Sequence, residues 1–199
     1  MPWIAGRRRL WELYCGWPEL NVAQSYLALG DSYTIGEGVD AAERWPVQLV
    51  QALRHQGMDI DSPRIIATTG WTTDELSHAM DTAEPLGQWD YVSLLIGVNN
   101  QYRERSVEEY RVQFQALLQR AIGLSRTGVA GIFVVSIPDW GVTPFAQGRD
   151  REMIAKAIDA FNQVAREVCE FLSVRFIDIT PLSRGGGGDP VMLAADGLH

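Results

Sequence analysis

Cysteine, long apolar runs and positive charge are all scarce in this sequence of 199 residues. The two cysteines, Cys15 and Cys169, are too few for a disulfide scaffold and have no metal-ligand spacing, so we predict two plain thiols. The longest apolar runs are a handful of residues, well short of the roughly 20 that cross a bilayer, and no membrane span is predicted.

The charge balance is acidic, because 17 Lys and Arg stand against 25 Asp and Glu and give a formal net charge of -8. The chain therefore lacks the basic surface of a nucleic-acid binder or of a polybasic membrane module, and a small molecule is the predicted partner. A dinucleotide fingerprint, a phosphate-binding loop, an HExxH motif and a paired CxxC motif are also missing from the sequence. No metal or other cofactor is expected.

Hydrophobic residues make up 46% of the chain and charged residues 21%, which is typical of a soluble domain with a real core. From residue 25 onward, short apolar runs alternate with longer amphipathic runs, as in βαβ units. We predict strands at Ser25–Leu29, Arg64–Ala67, Tyr91–Ile96, Ile132–Ser136 and Val174–Ile179, and helices at Glu43–Arg54, Thr73–Met80, Val107–Ile122 and Met153–Phe171. Right-handed crossovers then predict the α/β class, as a three-layer α/β/α sandwich with a parallel sheet of about five strands.

Some local signals accompany these elements. Thr72 is the predicted N-cap of the second helix, and Ser106 with Glu109 forms a predicted capping box at the start of the third. The glycine run at 185–188 predicts a flexible loop.

Residues 1–24 are predicted to be an N-terminal extension, and residues 25–199 a single domain. Three arginines precede a short apolar stretch, but Glu12 interrupts it and no small-residue cleavage site follows, so we predict a cytoplasmic protein without a signal peptide. Aromatic side chains of this segment would suit a contact between two copies of the chain, and a homodimer is one hypothesis; they are Trp3, Trp11, Tyr14 and Trp17.

Residues able to carry chemistry follow the predicted strands. Ligands of an open parallel sheet bind at the carboxyl ends of its strands, so we expect these residues to share one rim. Ser32 follows the first strand, Gly70 the second and Asn99 the third, while Asp196 and His199 end the loop beyond the fifth. A serine, an aspartate three residues before a histidine, and donors for an oxyanion together suit acyl transfer.

Each of these residues has a predicted role. A serine hydroxyl is a weak nucleophile on its own, so His199 is the predicted base for Ser32. Asp196 would bond one imidazole nitrogen and fix the tautomer, while the other nitrogen faces Ser32. The backbone N–H groups of Ser32 and Gly70 and the side-chain amide of Asn99 are the candidate oxyanion donors.

Four motifs in this order resemble the four blocks of the GDSL, or SGNH, hydrolase superfamily: Gly-Asp-Ser-Tyr-Thr-Ile-Gly-Glu-Gly, a lone Gly before Trp-Thr-Thr, Gly-Val-Asn-Asn, and Asp-Gly-Leu-His. The resemblance runs from about Tyr26 to His199. It implies an esterase or lipase of flavodoxin-like α/β/α fold, with the same triad and oxyanion residues and a preference for short-chain or acetyl esters.

Two departures from the family pattern stand out. Asn100 occupies the position where the third block usually has aspartate, which puts a local hydrogen bond in doubt. Family members also typically continue past the histidine into a last helix, and we therefore expect the domain 25–199 to lack its final helix.

The sequence alone allows more than one interpretation of several residues and of the activity. Rim aromatics either line a substrate pocket or serve packing alone; they are Tyr33, Trp71, Tyr102, Trp140 and Phe145. Arg103 either steers an anionic leaving group or is simply solvated. A carbohydrate O-acetyl esterase, a lysophospholipase and a thioesterase are the alternative activities, and a catalytically silent α/β/α binding module is the alternative of a different class.

Overall fold

A computed structural model describes residues 22–187 and 189–199 of the chain. Its core is one parallel sheet with the strand order β2-β1-β3-β4-β5. The strands are β1 Tyr26–Gly30, β2 Arg64–Ala67, β3 Tyr91–Leu95, β4 Ile132–Val135 and β5 Arg175–Ile177. This order is the flavodoxin-like one, in which the strand order reverses at β1 and leaves a crevice at the carboxyl ends of β1 and β3.

Seven α-helices connect or follow the strands of the described residues. They are α1 Ser32–Ile35, α2 Trp45–His55, α3 Thr73–Thr82, α4 Val98–Tyr102, α5 Val107–Leu124, α6 Arg151–Leu172 and α7 Thr180–Gly186. The predicted three-layer α/β/α sandwich is confirmed, because α3, α5 and α6 pack on one face of the sheet and α2 packs on the other.

Side chains along each strand point alternately to the two faces of the sheet, so the core is divided between these faces. Leu27, Leu29 and Leu94 point to the face that α3, α5 and α6 cover, and all three are fully buried. Tyr26 and Ala28 point to the opposite face, where α2 packs. Both faces of β1 are therefore shielded from water, which explains why its sequence is an unbroken apolar run rather than an alternating one.

The α2 face is covered unevenly. The α2 helix packs over β1 and β2, whereas part of β4 and β5 on this side borders an open cavity. A cavity of about 490 Å³ opens there, with Tyr91, Phe133 and Ile177 in its lining, and Ile177 is 39% exposed. The sheet thus presents an apolar strip beside α2.

Most predicted elements lie within two residues of their observed bounds, and the differences have local causes. The last strand ends at Ile177 rather than Ile179, because the N–H of Ile179 donates to the Ser136 hydroxyl at 2.8 Å instead of continuing the ladder. The first predicted helix begins at Trp45 rather than Glu43, since a short 3-10 turn at Ala41–Glu43 precedes it.

Two local predictions were wrong. The capping box at Ser106 forms on one side only, because the Glu109 carboxylate bonds Arg105 and Gln113 rather than the N-cap. The glycine run was predicted to be a loop, but α7 extends to Gly186. The Thr72 prediction is confirmed, and the Thr72 N–H donates to Glu75 Oε2 at 2.8 Å.

The predictions for Cys15 and for the aromatic residues of the N-terminal segment fall on residues 1–21, outside the described residues. The chain is already tied to the domain at Gln24, whose N–H donates to the carbonyl of Asp59 at 2.8 Å.

Candidate active site

Ser32 is the first residue of α1 and follows β1 through a tight turn. Asp31 is the N-cap, and its Oδ1 accepts the Tyr33 N–H at 3.1 Å. Gly30 is required by close approach, since a Cβ there would lie 2.5 Å from the carbonyl oxygen of Leu95. The turn therefore fixes Ser32 at the carboxyl end of the sheet, where it is buried but lines a cavity.

The loop after β2 carries Gly70 in a conformation that favours glycine, with φ +85°. Two side chains of the α4 segment hold this loop. Asn99 Nδ2 donates to the carbonyl of Trp71 at 2.9 Å, and Arg103 Nη2 donates to the carbonyl of Gly70 at 2.6 Å. One N–H of the Asn99 amide remains for another acceptor.

Both terminal nitrogens of the Arg103 guanidinium have a partner, and Nη2 is the one that bonds Gly70. Its Nη1 also lies 3.1 Å from Glu75 Oε1 in an ion pair. The sequence left open whether Arg103 steers an anionic leaving group or is simply solvated, whereas in the structure it bonds the backbone of the Gly70 loop.

Asn100, the departure from the family pattern, is fully buried and bonds the start of α3. Its Oδ1 accepts the Thr73 N–H at 3.1 Å, and its Nδ2 donates to the Thr73 hydroxyl at 2.8 Å. The Thr73 hydroxyl in turn donates to Gln113. The position therefore keeps its local hydrogen bonds as an amide.

Asp196 and His199 belong to a closed turn. Asp196 Oδ1 accepts the N–H groups of Leu198 at 2.9 Å and His199 at 3.1 Å, while Oδ2 lies 2.6 Å from His199 Nδ1. The N–H of Phe145 donates to the carbonyl of Gly197 at 3.2 Å and attaches this turn to the loop after β4. With Nδ1 bonded to Asp196, Nε2 is the ring nitrogen left to act as a base.

One cavity of about 180 Å³ brings these residues together. Ser32, Gly70, Asn99 and His199 all line it, and Asp196 lies behind His199. Four of the five rim aromatics also line this cavity, namely Tyr33, Tyr102, Trp140 and Phe145. Trp71 does not; it lies with Glu75 and His78 in a shallow cleft along α3.

A second, wider cavity of about 530 Å³ adjoins the first. Tyr33, Trp140, Leu198 and His199 line both cavities. The rest of its lining is mostly aliphatic or aromatic and includes Phe133, Val135 and Leu193. The candidate base therefore stands between the small cavity that holds Ser32 and a wide apolar cavity.

Tyr102, Trp140 and Phe145 form what we term the aromatic wall of the small cavity. The ring centroids of Tyr102 and Trp140 are 5.5 Å apart, and those of Trp140 and Phe145 are 5.9 Å apart. Trp140 Nε1 donates to Gln101 Oε1 at 2.9 Å, which fixes the indole. Arg149 packs against all three rings, and sequence reasoning missed it because a single arginine before a helix carries no motif.

Burial changes the titration of the carboxyl group next to Ser32. It raises the pKa of Asp31 to about 7, although hydrogen bonds from backbone N–H groups oppose the shift. At Asp196 burial also opposes ionisation, but the hydrogen bonds from His199 and Leu198 outweigh it and lower the pKa. Asp196 is therefore ionised at neutral pH and suited to orient an imidazole.

Among residues 22–187 and 189–199, no three His, Cys, Asp or Glu side chains are grouped so that they could hold a metal ion. In the same part of the chain, no helix combines the length and apolarity needed to cross a membrane.

Solved structures show the same fold. TesA is 22% identical with a TM-score of 0.67, and the match covers 88% of this chain and 88% of TesA. AlinE4, described as an SGNH-hydrolase family esterase, is 20% identical with a TM-score of 0.67, covering 89% and 86% of the two chains. A lipase/acylhydrolase from Enterococcus faecalis is 21% identical with a TM-score of 0.68, covering 88% and 86%.

Sequence comparison gives the family. None of the curated proteins compared matches this chain. The model of the GDSL-like lipase/acylhydrolase family matches residues 28–199, which include Ser32, Gly70, Asn99, Asp196 and His199. Because this match covers most of the chain, the protein belongs to the GDSL-like lipase/acylhydrolase family.

Proposed function

We propose that the protein is a serine esterase that cleaves carboxylic esters through an acyl-enzyme on Ser32. One observation carries the proposal: Ser32, Gly70, Asn99 and His199 line a single cavity, and His199 Nδ1 lies 2.6 Å from Asp196 Oδ2. Nucleophile, base, orienting carboxylate and oxyanion donors are the complete set for acyl transfer.

In the proposed reaction, each of these residues has one role. His199 Nε2 takes the proton of the Ser32 hydroxyl as Oγ attacks the ester carbonyl. The N–H groups of Ser32 and Gly70 and the free amide N–H of Asn99 stabilise the oxyanion of the tetrahedral intermediate. The intermediate collapses to an acyl-enzyme as His199 returns the proton to the leaving alcohol, and water then repeats the two steps to release the acid and restore Ser32.

The size of the small cavity favours short acyl groups. Sites for drug-sized ligands are typically about 300 to 1,000 Å³, whereas this cavity holds about 180 Å³. An acetyl or short acyl group would fit between the oxyanion donors and the aromatic wall.

Longer acyl chains are the second candidate, because the wide apolar cavity shares Tyr33, Leu198 and His199 with the small one. A series of p-nitrophenyl esters from two to ten acyl carbons separates the candidates. A maximum of kcat/KM at two to four carbons supports the short-chain proposal, and a maximum at eight to ten carbons supports use of the wide cavity.

The decisive experiment compares hydrolysis of p-nitrophenyl acetate by the wild type and by Ser32→Ala. We expect kcat to fall at least about a thousandfold, because the remaining groups cannot supply the nucleophile. Ser62→Ala, at an exposed serine before β2, is the matched control and should retain wild-type activity.

A fluorophosphonate probe tests the activated serine without a choice of substrate. Labelling of the wild type and of Ser62→Ala, but not of Ser32→Ala, supports the proposal. An unlabelled wild type with background hydrolysis supports the silent binding module instead. A panel of acetylated sugars, lysophospholipids and acyl thioesters then separates the remaining ester classes.

A further inference from the structure

Arg149 lies on the aromatic wall of the candidate active site. Its guanidinium carbon is 5.1 Å from the ring centroid of Tyr102, 5.3 Å from that of Trp140 and 5.5 Å from that of Phe145. Cation–π contact with three rings holds a planar guanidinium in place and lowers the entropic cost of using it to bind a ligand.

Among the described residues, few acceptors use the hydrogen-bonding capacity of Arg149. Within this part of the chain its side chain donates one hydrogen bond, from Nη2 to the Tyr102 hydroxyl at 2.9 Å, although a guanidinium has five N–H donors. Arg103, also beside the small cavity, is paired with Glu75, whereas no carboxylate of the described residues forms an ion pair with Arg149. Arg149 is exposed to solvent, so its remaining donors are accessible.

We propose that Arg149 binds an anionic group, a carboxylate or a phosphate, that the ester substrate carries outside the small cavity. This inference rests on the proposed esterase function of Ser32. The three rings already hold the guanidinium of Arg149, so a cationic substrate group would be repelled there. An anion, in contrast, would gain charge-assisted hydrogen bonds from a guanidinium that is already oriented.

The test uses matched pairs that each compare an anionic ester with its neutral methylated counterpart. Mono-p-nitrophenyl succinate and its methyl ester place the charge on the acyl side. For the alcohol side, p-acetoxybenzoate is compared with its methyl ester, and p-acetoxyphenyl phosphate with the corresponding dimethyl phosphate. For each pair, the ratio of kcat/KM for the charged ester to that for the neutral ester is measured in wild type, Arg149→Gln and Arg149→Lys.

We expect Arg149→Gln to lower this ratio about five- to tenfold for at least one pair, since a partly exposed charged hydrogen bond is lost. Arg149→Lys should keep part of the ratio, and added salt should lower the ratio in wild type through screening. Arg175→Gln removes an equal charge at the start of β5, away from the small cavity, and should leave the ratio unchanged.

The outcomes separate this inference from the proposed function. Hydrolysis that depends on Ser32, with a charged-to-neutral ratio that Arg149→Gln leaves unchanged in every pair, overturns the role of Arg149 alone. An equal fall for charged and neutral esters also overturns it, because that result assigns Arg149 to support of the aromatic wall. A wild type that hydrolyses no ester and is not labelled by fluorophosphonate shows that the proposed function itself has failed.

Discussion

The guanidinium of Arg103 donates a 2.6 Å hydrogen bond to the carbonyl oxygen of Gly70, one of the candidate oxyanion residues. Together with the bond from Asn99 to Trp71, it fixes the orientation of the loop after β2 from two points on one short segment. Arg103 is thus a positioning residue, because it acts on the geometry of the Gly70 loop and does not line the small cavity.

Arg103→Met should therefore lower kcat for p-nitrophenyl acetate about tenfold with little change in KM, since the oxyanion forms only as the reaction proceeds. Arg103→Lys should recover part of the loss, because one ammonium can still reach the Gly70 carbonyl. Arg126→Met, which removes an arginine paired with Asp90, is the control. A rise in KM alone, or a fall in kcat that tracks a lower Tm, would argue against positioning.

The second prediction concerns Asn100. Asn100→Ala removes both hydrogen bonds to Thr73 and leaves the N–H and hydroxyl of that buried residue without these partners. We expect a loss of about 2 kcal/mol in the free energy of unfolding, measured by denaturant titration. Asn100→Asp should cost less, because a carboxylate oxygen can still accept the Thr73 N–H. Equal losses for the two variants would contradict this account.

The third prediction is a pH dependence of stability that arises at Asp31. Burial raises the pKa of this carboxyl to about 7 in the folded protein, whereas an unfolded aspartate titrates near pH 4. Between these values the folded form binds a proton that the unfolded form has lost, so the free energy of unfolding decreases as the pH rises through this window.

Asp31→Asn should remove that decrease, since an amide oxygen can still accept the Tyr33 N–H and carries no charge. At about pH 8 we expect the variant to be about 2 to 4 kcal/mol more stable than wild type, with the difference disappearing near pH 4. Chemical denaturation between these pH values measures the effect, and Asp61→Asn at an exposed position is the control. Parallel stability curves for Asp31→Asn and wild type would refute the assignment.

Sequence patterns predicted the sheet well, and they also indicated which residues share its carboxyl edge, because in a parallel sheet a buried apolar run locates the residue that follows it. Ser32, Gly70 and Asn99 each follow such a run, and the carboxyl ends of β1, β2 and β3 meet at one edge. The resemblance to the family pattern added a second line of argument, because the four motifs occur in the family's order along the chain.

The contacts of Arg103 and Arg149 could not be predicted in the same way. Both depend on how loops fold against each other, and an arginine between two elements carries no periodicity. Trp71 is the opposite case. Because it follows Gly70 in the sequence, it was a candidate for the lining of the substrate pocket, yet its side chain lies against α3 instead.

The last prediction concerns the ion pair that joins α7 to the loop after β4. Arg184 Nε lies 2.8 Å from Asp139 Oδ2, and Asp139 is 1% exposed, so removal of the arginine leaves a buried carboxylate without its cation. Arg184→Met should lower the free energy of unfolding by about 3 kcal/mol. The double variant Asp139→Asn/Arg184→Met should recover most of that loss, because an amide can still accept the Gly141 N–H. Additive losses in this double-mutant cycle would show that the pair contributes no coupling and that α7 is held by its apolar contacts instead.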